Sequence, residues 1–263
     1  MDSSSFINAL RRFLSIRGPA KQIRSDCGTN FIGACRELKM EAVQSDKEVQ
    51  EYLSDKGCTW VFNPPHSSHM GGSWERMIGI TRRILDSMLL KVGPSRLTHK
   101  VLITFMAEVS AIVHARPLVP VSTDPDFPLI LTPATLLTQK VAVVPPPQGE
   151  FNEKDLFSRQ WRQVQSLANT FWHRWRKEYL PTLQSRRKWQ KEKPNLKERD
   201  IVMLTDSQVK RNDWPMGIVV KTFPGRDGKV RKVEVKTARQ GSCKTFLRPV
   251  SETVLLFSPE TDK

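Results

Sequence analysis

Between Trp161 and Tyr179 the large apolar side chains return at steps of three and four: Trp161, Val164, Ala168, Phe171, Trp172, Trp175 and Tyr179. That period is one face of an α-helix. A stripe this aromatic cannot be left in water, because each ring removes about 150–250 Å² of surface on burial. The chain must fold a second layer against this helix. The stripe therefore predicts core packing and not a base-stacking platform, which needs exposed aromatics among cations. Pro181 predicts the helix end. Trp189, beyond the proline and flanked by Lys188 and Lys191, is the aromatic better placed for exposure.

The period changes on either side of that helix. From Asp200 onward short β-type runs occupy 201–204, 216–220, 230–237 and 244–248, with Val233 and Val235 alternating against Lys232, Glu234 and Lys236. Pro224-Gly225-Arg226-Asp227-Gly228 marks a turn between two of them, and strands this short at this spacing predict a small barrel. Upstream, Pro145-Pro146-Pro147 reads as a stiff linker at the end of an extended, proline-rich stretch over 117–147.

Before that stretch, Ser3 to Ser5 offer caps to a helix through Phe6, Leu10, Phe13 and Leu14, which Gly18-Pro19 ends. A short strand then runs into a glycine turn around Gly28, followed by a polar helical stretch over 32–53 and a β run at Thr59-Trp60-Val61-Phe62. Asn63-Pro64-Pro65 stops that run. A Gly/Ser-rich loop over 66–73 leads to a helix from Trp74 with Met77, Ile78, Thr81, Ile84, Leu85, Met88 and Leu89 at helical spacing. A further apolar helix holds Leu102, Phe105, Met106, Val109, Ile112 and Val113. The expected organisation is a core over 1–140, a linker over 141–151, a basic helical segment over 152–193 and a barrel over 194–258.

Charge is distributed unevenly. The 42 Lys and Arg against 27 Asp and Glu leave +15, of which residues 1–150 (17 basic, 14 acidic) carry +3 and residues 151–263 (25 basic, 13 acidic) carry +12. Such a concentration points to a polyanion, since each neutralised phosphate releases counterions. Nucleic acid is favoured over a membrane surface: the basic part has no long amphipathic helix with a clean apolar face and no lipidation motif, and no stretch reaches the roughly 20 apolar residues of a spanning helix. Arg186, Arg187, Lys188, Lys191 and Lys193 read as phosphate contacts without base specificity, with a solvated charge run as the equal alternative. MDSSSF has neither the basic start nor the apolar core of a signal peptide, so the expected compartment is intracellular. Cys27, Cys35, Cys58 and Cys243 lack paired spacing and read as free thiols.

Asp26 and Glu75 are the carboxylates to weigh for chemistry. One stands at a strand end before a glycine turn, the other in the first turn of a helix, and such positions can converge on Mg²⁺, a hard cation that takes oxygen ligands. The bland reading is a turn cap and a helix N-terminal charge. His66 and His69, in a polar loop without Cys or acidic partners, read as exposed rather than as metal ligands.

Arg24-Ser25-Asp26-Cys27-Gly28-Thr29-Asn30-Phe31 and the run Trp60-Val61-Phe62-Asn63-Pro64-Pro65-His66-Ser67-Ser68-His69-Met70-Gly71-Gly72-Ser73-Trp74-Glu75 resemble the second Asp and the Glu of the DDE catalytic core of retroelement integrases. Ala115-Arg116-Pro117-Leu118, Thr132-Pro133 and the Trp175, Tyr179, Leu183, Arg187, Trp189 series resemble the BEL/Pao class of LTR retrotransposons. The resemblance runs over nearly the whole chain. It implies a ribonuclease-H-like α/β core followed by a helical segment and an SH3-like β-barrel, with Mg²⁺ or Mn²⁺ on Asp26 and Glu75 and a reaction that processes and joins DNA ends. In the family the helix after the Glu lies against DNA, so the expected DNA contacts are Asn63, His66, Arg82 and Arg83, with the basic cluster 186–193.

One departure matters. The family's triad needs an earlier Asp on the first strand, and only Asp2, beside the first helix, precedes Asp26. The expectation is a truncated core without its opening strands and without the zinc-binding HHCC domain, impaired in strand transfer and in need of self-association or of its missing N-terminal region. Its expected partner is DNA and its expected location nuclear. The alternatives are a non-catalytic DNA- or chromatin-binding protein and, less favoured, a distinct nuclease using the same two carboxylates.

Overall fold

The computed structural model describes residues 2–38, 58–64, 72–93, 97–120, 130–140, 145–183, 194–206, 209–239 and 242–259. The fold is mixed α/β, and its contacts separate it into two units, Met1–Ile78 and Gly79–Lys263.

In the first unit α1 (Ser3–Arg17) is capped by Asp2, whose carboxylate accepts the Ser5 N–H at 2.7 Å. The cap is therefore Asp2 rather than the serines after it, which lie inside the helix. That hydrogen bond, at the positive end of the helix, holds the Asp2 pKa below its usual value. Gly18, at φ 88°, closes the other end by donating to Leu14 O. Strand β1 (Gln22–Ser25) pairs in parallel with β2 (Thr59–Phe62), Ser25 standing opposite Phe62. Parallel pairing demands a crossover, and α2 (Thr29–Glu37) lies within it. Of the polar helix expected over 32–53 only the part to Glu37 is seen as helix; residues 39–57 lie outside the described residues. Trp60 is fully buried at the centre of Leu10, Ala34 and Cys35, with Phe6, Phe31 and Phe62 around it. Its indole N–H donates to Ser25 Oγ at 2.9 Å, so the one polar atom it buries is satisfied.

Helix α3 (Gly72–Val92) contains the boundary between the units, and Ile80, Ile84 and Met88 are buried at four-residue steps on it. In the second unit α4 (His99–His114) buries Val101, Phe105, Val109 and Ile112. The proline-rich stretch is not simply extended. Strand β3 (Val119–Pro120) pairs antiparallel with β4 (Ile130–Leu131), and α5 (Pro133–Thr138) follows with Thr132 as its capping box. Pro133 stands at the start of that helix, where its fixed φ favours the turn and its missing N–H costs nothing.

Helix α6 (Gln160–Leu183) is the aromatic-striped helix. It runs through Pro181, because a proline so close to the end leaves few bonds to break; the Thr182 hydroxyl also donates to the Tyr179 carbonyl at 2.7 Å. Phe171, Trp172, Trp175 and Tyr179 are buried as expected, Phe171 and Trp175 stacking at 6.2 Å and Trp175 and Tyr179 at 5.3 Å. Trp161 departs from the stripe: it is 50% exposed and packs edge-on against Phe151.

The β runs after Asp200 form an antiparallel sheet of five strands in the order β8-β7-β6-β5-β9: β5 (Ile201–Leu204), β6 (Met216–Pro224), β7 (Val230–Arg239), β8 (Ser242–Pro249) and β9 (Thr253–Phe257). Bulges in β6 and between Ile201 and Val202 bend it. Among the described residues no ladder joins β8 to β9, so the strands expected as a closed barrel are here an open sheet. Its core is Leu196, Val202, Leu204, Val219, Val233 and Val235. Gly217 is required there, since a Cβ would stand 2.5 Å from Val235 Cγ1 and 2.6 Å from the Lys236 carbonyl oxygen. No described helix is long and apolar enough to cross a membrane.

Candidate functional site

The parallel register of β1 and β2 carries Asp26 and Asn63 to the same strand ends. One residue beyond the Ser25–Phe62 pair, the Asn63 N–H donates to Ser25 O at 2.8 Å, and the Cys27 thiol donates to the Asn63 carbonyl at 3.4 Å. Asp26 is exposed, and one of its carboxylate oxygens accepts the Gly28 N–H at 2.9 Å. A Cβ on Gly28 would sit 3.0 Å from that oxygen, so glycine keeps the turn open around the carboxylate. Asp26 is thus exposed at the carboxyl ends of the two strands, the place where open parallel sheets present side chains to ligands.

Glu75 is exposed in the first turn of α3. Among the described residues no hydrogen bond or ion pair joins it to Asp26, and no three His, Cys, Asp or Glu side chains cluster to hold a metal. Carboxylate oxygen is the right donor for Mg²⁺, but the described residues alone do not assemble a metal site. His66, Arg186, Arg187, Lys188, Lys191 and Lys193, together with Trp189, lie outside the described residues.

In the second unit, Arg82 is exposed and Arg83 turns to α6, where it forms an ion pair with Glu178. Both partners of that pair are partly exposed, so it is worth at most about 1 kcal/mol and a phosphate could compete for the guanidinium. Arg176, one of the cations that crowd the end of this helix in sequence, is a buried residue of α6 with its guanidinium 5.6 Å from the Trp172 ring. Burial pulls its pKa down, against a smaller pull upward from Asp206.

A basic surface lies instead on the outer face of the sheet. Pairing sets Lys221 opposite Glu234, Phe223 opposite Lys232 and Ile218 opposite Lys236, so three lysines share the face turned away from Val233 and Val235. Lys221 Nζ lies 5.4 Å from the Phe223 ring, and Leu247, opposite Glu234, adds an exposed apolar contact. Glu234 is the single acid among these paired positions. The alternation of Lys232, Glu234 and Lys236 was visible in sequence; Lys221 was not, because the bulge between Val219 and Lys221 resets the face on which it falls.

Sequence reasoning also missed a buried polar network. Arg211 donates to Asn169 Oδ1 at 3.1 Å and to the Gln165 side chain, lies 3.5 Å from Glu108, and Gln165 donates to Glu108 at 3.1 Å. It ties α4, α6 and the β5–β6 connection together. Burial lowers the Arg211 pKa and Glu108 opposes that shift. Nearby, the Tyr179 hydroxyl donates to the Pro117 carbonyl at 3.2 Å, and burial raises its pKa. That contact joins two of the family-like segments, Ala115-Arg116-Pro117-Leu118 and the Trp175 to Leu183 series, so both have a packing role.

Comparison with known proteins adds one finding. No curated protein matches the chain. Residues 159–256, which take in α6 and the sheet from β5 into β9, match the Family of unknown function (DUF5641).

Proposed function

We propose that this chain is an integrase-derived, nuclear DNA-binding protein of the BEL/Pao type, holding duplex DNA on the outer face of its antiparallel sheet. The observation that carries this reading is the row of Lys221, Lys232 and Lys236 on one face with the Phe223 ring among them. Lysine at that spacing makes phosphate contacts, which give affinity without base specificity. The sheet is read as an SH3-like module, and β1, β2, α1 and α2 as part of a ribonuclease-H-like core, with Asp26 and Glu75 as its candidate carboxylates for Mg²⁺ or Mn²⁺.

Two measurements test the reading. The Lys221→Ala, Lys232→Ala, Lys236→Ala triple variant loses about tenfold or more in affinity for a labelled duplex at low salt, while Asp26→Asn keeps it; a triple variant that binds like the wild type sinks the proposal. Robust Mg²⁺-dependent joining of an oligonucleotide end, abolished by Asp26→Asn, would instead establish a working metal site.

A further inference from the structure

The outer face of the antiparallel sheet is not uniformly basic. Its open part is laid out in rungs across β6, β7 and β8: Phe223, Lys232 and Pro249 stand opposite one another, then Lys221, Glu234 and Leu247, with Lys236 opposite Thr245 beyond them. The cations therefore lie on β6 and β7, while the β8 column of Pro249, Leu247 and Thr245 carries no charge. Two apolar side chains of this face are open to solvent, Leu247 to 58% and Phe223 to 38%.

Two features separate this surface from one built for phosphate alone. Glu234 stands between Lys232 and Lys236 on β7 and repels a phosphate placed over the middle rung, where Leu247 offers an uncharged contact instead. The Phe223 ring lies 5.4 Å from Lys221 Nζ, an exposed aromatic beside a cation, which the buried rings of α6 are not. Unpaired strands are held in this way: cations track the backbone and rings stack on bases. A fully paired duplex has nothing to give the ring, because its bases are stacked on one another and show only their edges in the grooves.

We infer, on the reading of this sheet as the DNA-binding surface, that its outer face takes unpaired DNA, with Phe223 stacking on a base and Lys221 and Lys232 on the flanking phosphates. Paired DNA is held by the lysines alone, an unpaired stretch by the lysines and the ring. The preference is for exposed bases and not for a sequence, because every base has a face to stack and no side chain here is placed to read base edges.

Fluorescence anisotropy of the full chain with three labelled duplexes of one length and one phosphate count tests this: one fully paired, one with a central run of unpaired thymines in both strands, and one with that run abasic. The wild type binds the unpaired run about tenfold more tightly than the paired duplex. It binds the abasic run like the paired duplex, since the phosphates are kept and only the bases are gone. Phe223→Leu keeps an apolar side chain on the strand, leaves the melting temperature and the affinity for paired DNA unchanged, and loses the preference. Equal wild-type affinity for paired and unpaired duplexes overturns the inference, and so does a preference that the abasic run or Phe223→Leu retains. The Lys221→Ala, Lys232→Ala, Lys236→Ala variant separates that failure from failure of the surface itself: it weakens binding to all three duplexes where the lysines hold DNA, and wild-type affinity for all three overturns both readings.

Discussion

The two sheets of this protein place their polar residues in different ways. In the parallel pair β1–β2 the strand bodies pack Trp60 against α1 and α2, and the candidate chemistry, Asp26 beside Asn63, sits past the strand ends. In the antiparallel sheet the basic residues stand along the strand bodies, on the face opposite Val233 and Val235. Among the described residues α1 and α2 cover one face of the parallel pair, that of Ile23, Trp60 and Phe62, and the chain turns at the strand ends carry the polar groups. An antiparallel sheet can leave one face to solvent; here β5 is buried on both faces, and the open part of the outer face lies on β6, β7 and β8. The candidate carboxylates Asp26 and Glu75 thus belong to the first unit and the lysine row to the second.

That contrast predicts how each region breaks. Trp175→Ala removes a fully buried ring stacked between Phe171 and Tyr179 and costs about 3–5 kcal/mol in denaturant unfolding; a loss below about 1 kcal/mol would mean the stripe is not core. Trp60→Ala does the same to the first unit and also removes the indole donor from the Ser25 hydroxyl, which keeps its own bond to the Asp26 carbonyl. Next in size, Arg211→Ala leaves Gln165 and Glu108 without their shared partner and costs about 2 kcal/mol, less than a fully buried pair because Glu108 reaches solvent.

Glu178→Gln sharpens the comparison rather than breaking it. It changes stability by less than about 1 kcal/mol yet frees Arg83, so duplex affinity rises modestly in a filter-binding titration if Arg83 is available to phosphate; an unchanged affinity assigns Arg83 to structure alone. The smallest effect lies in acid. The Arg231 guanidinium hydrogen-bonded to Asp227 holds that carboxyl at about 2, below its ordinary 3.8. The folded form therefore keeps this carboxylate charged longer than the unfolded form, and the stability it adds above pH 3.8 is lost as pH falls toward 2. Asp227→Asn flattens the fall in melting temperature across that window; a variant with the wild-type profile contradicts this source of acid sensitivity.

The elements legible in sequence were those with a strong period or a turn signal: α6 from its aromatic steps, β7 from Val233 and Val235 against lysines, and the β6–β7 turn from Pro224 to Gly228. Strand β9 was missed because Thr253-Val254-Leu255-Leu256-Phe257 runs apolar without alternation and follows a 3-10 turn instead of a glycine. The prolines between 117 and 147 read as stiffness, whereas Pro133 begins a helix; position within an element, not residue type, decided it. Asp26 was found from its turn. Its neighbour Asn63 is set by a long-range parallel register that no local pattern encodes. The Arg211 network was invisible for the same reason, its members being spread from Glu108 to Arg211.

The central claim is that the outer sheet face, and not the strand ends of the first unit, holds DNA. Its most direct test is the dependence of duplex affinity on salt for the wild type, the Lys221→Ala, Lys232→Ala, Lys236→Ala variant and Asp26→Asn. The triple variant's slope of log K against log salt is expected to be shallower by about 2–3, one for each phosphate that no lysine now neutralises, while Asp26→Asn keeps the wild-type slope. Equal slopes for the wild type and the triple variant would contradict it.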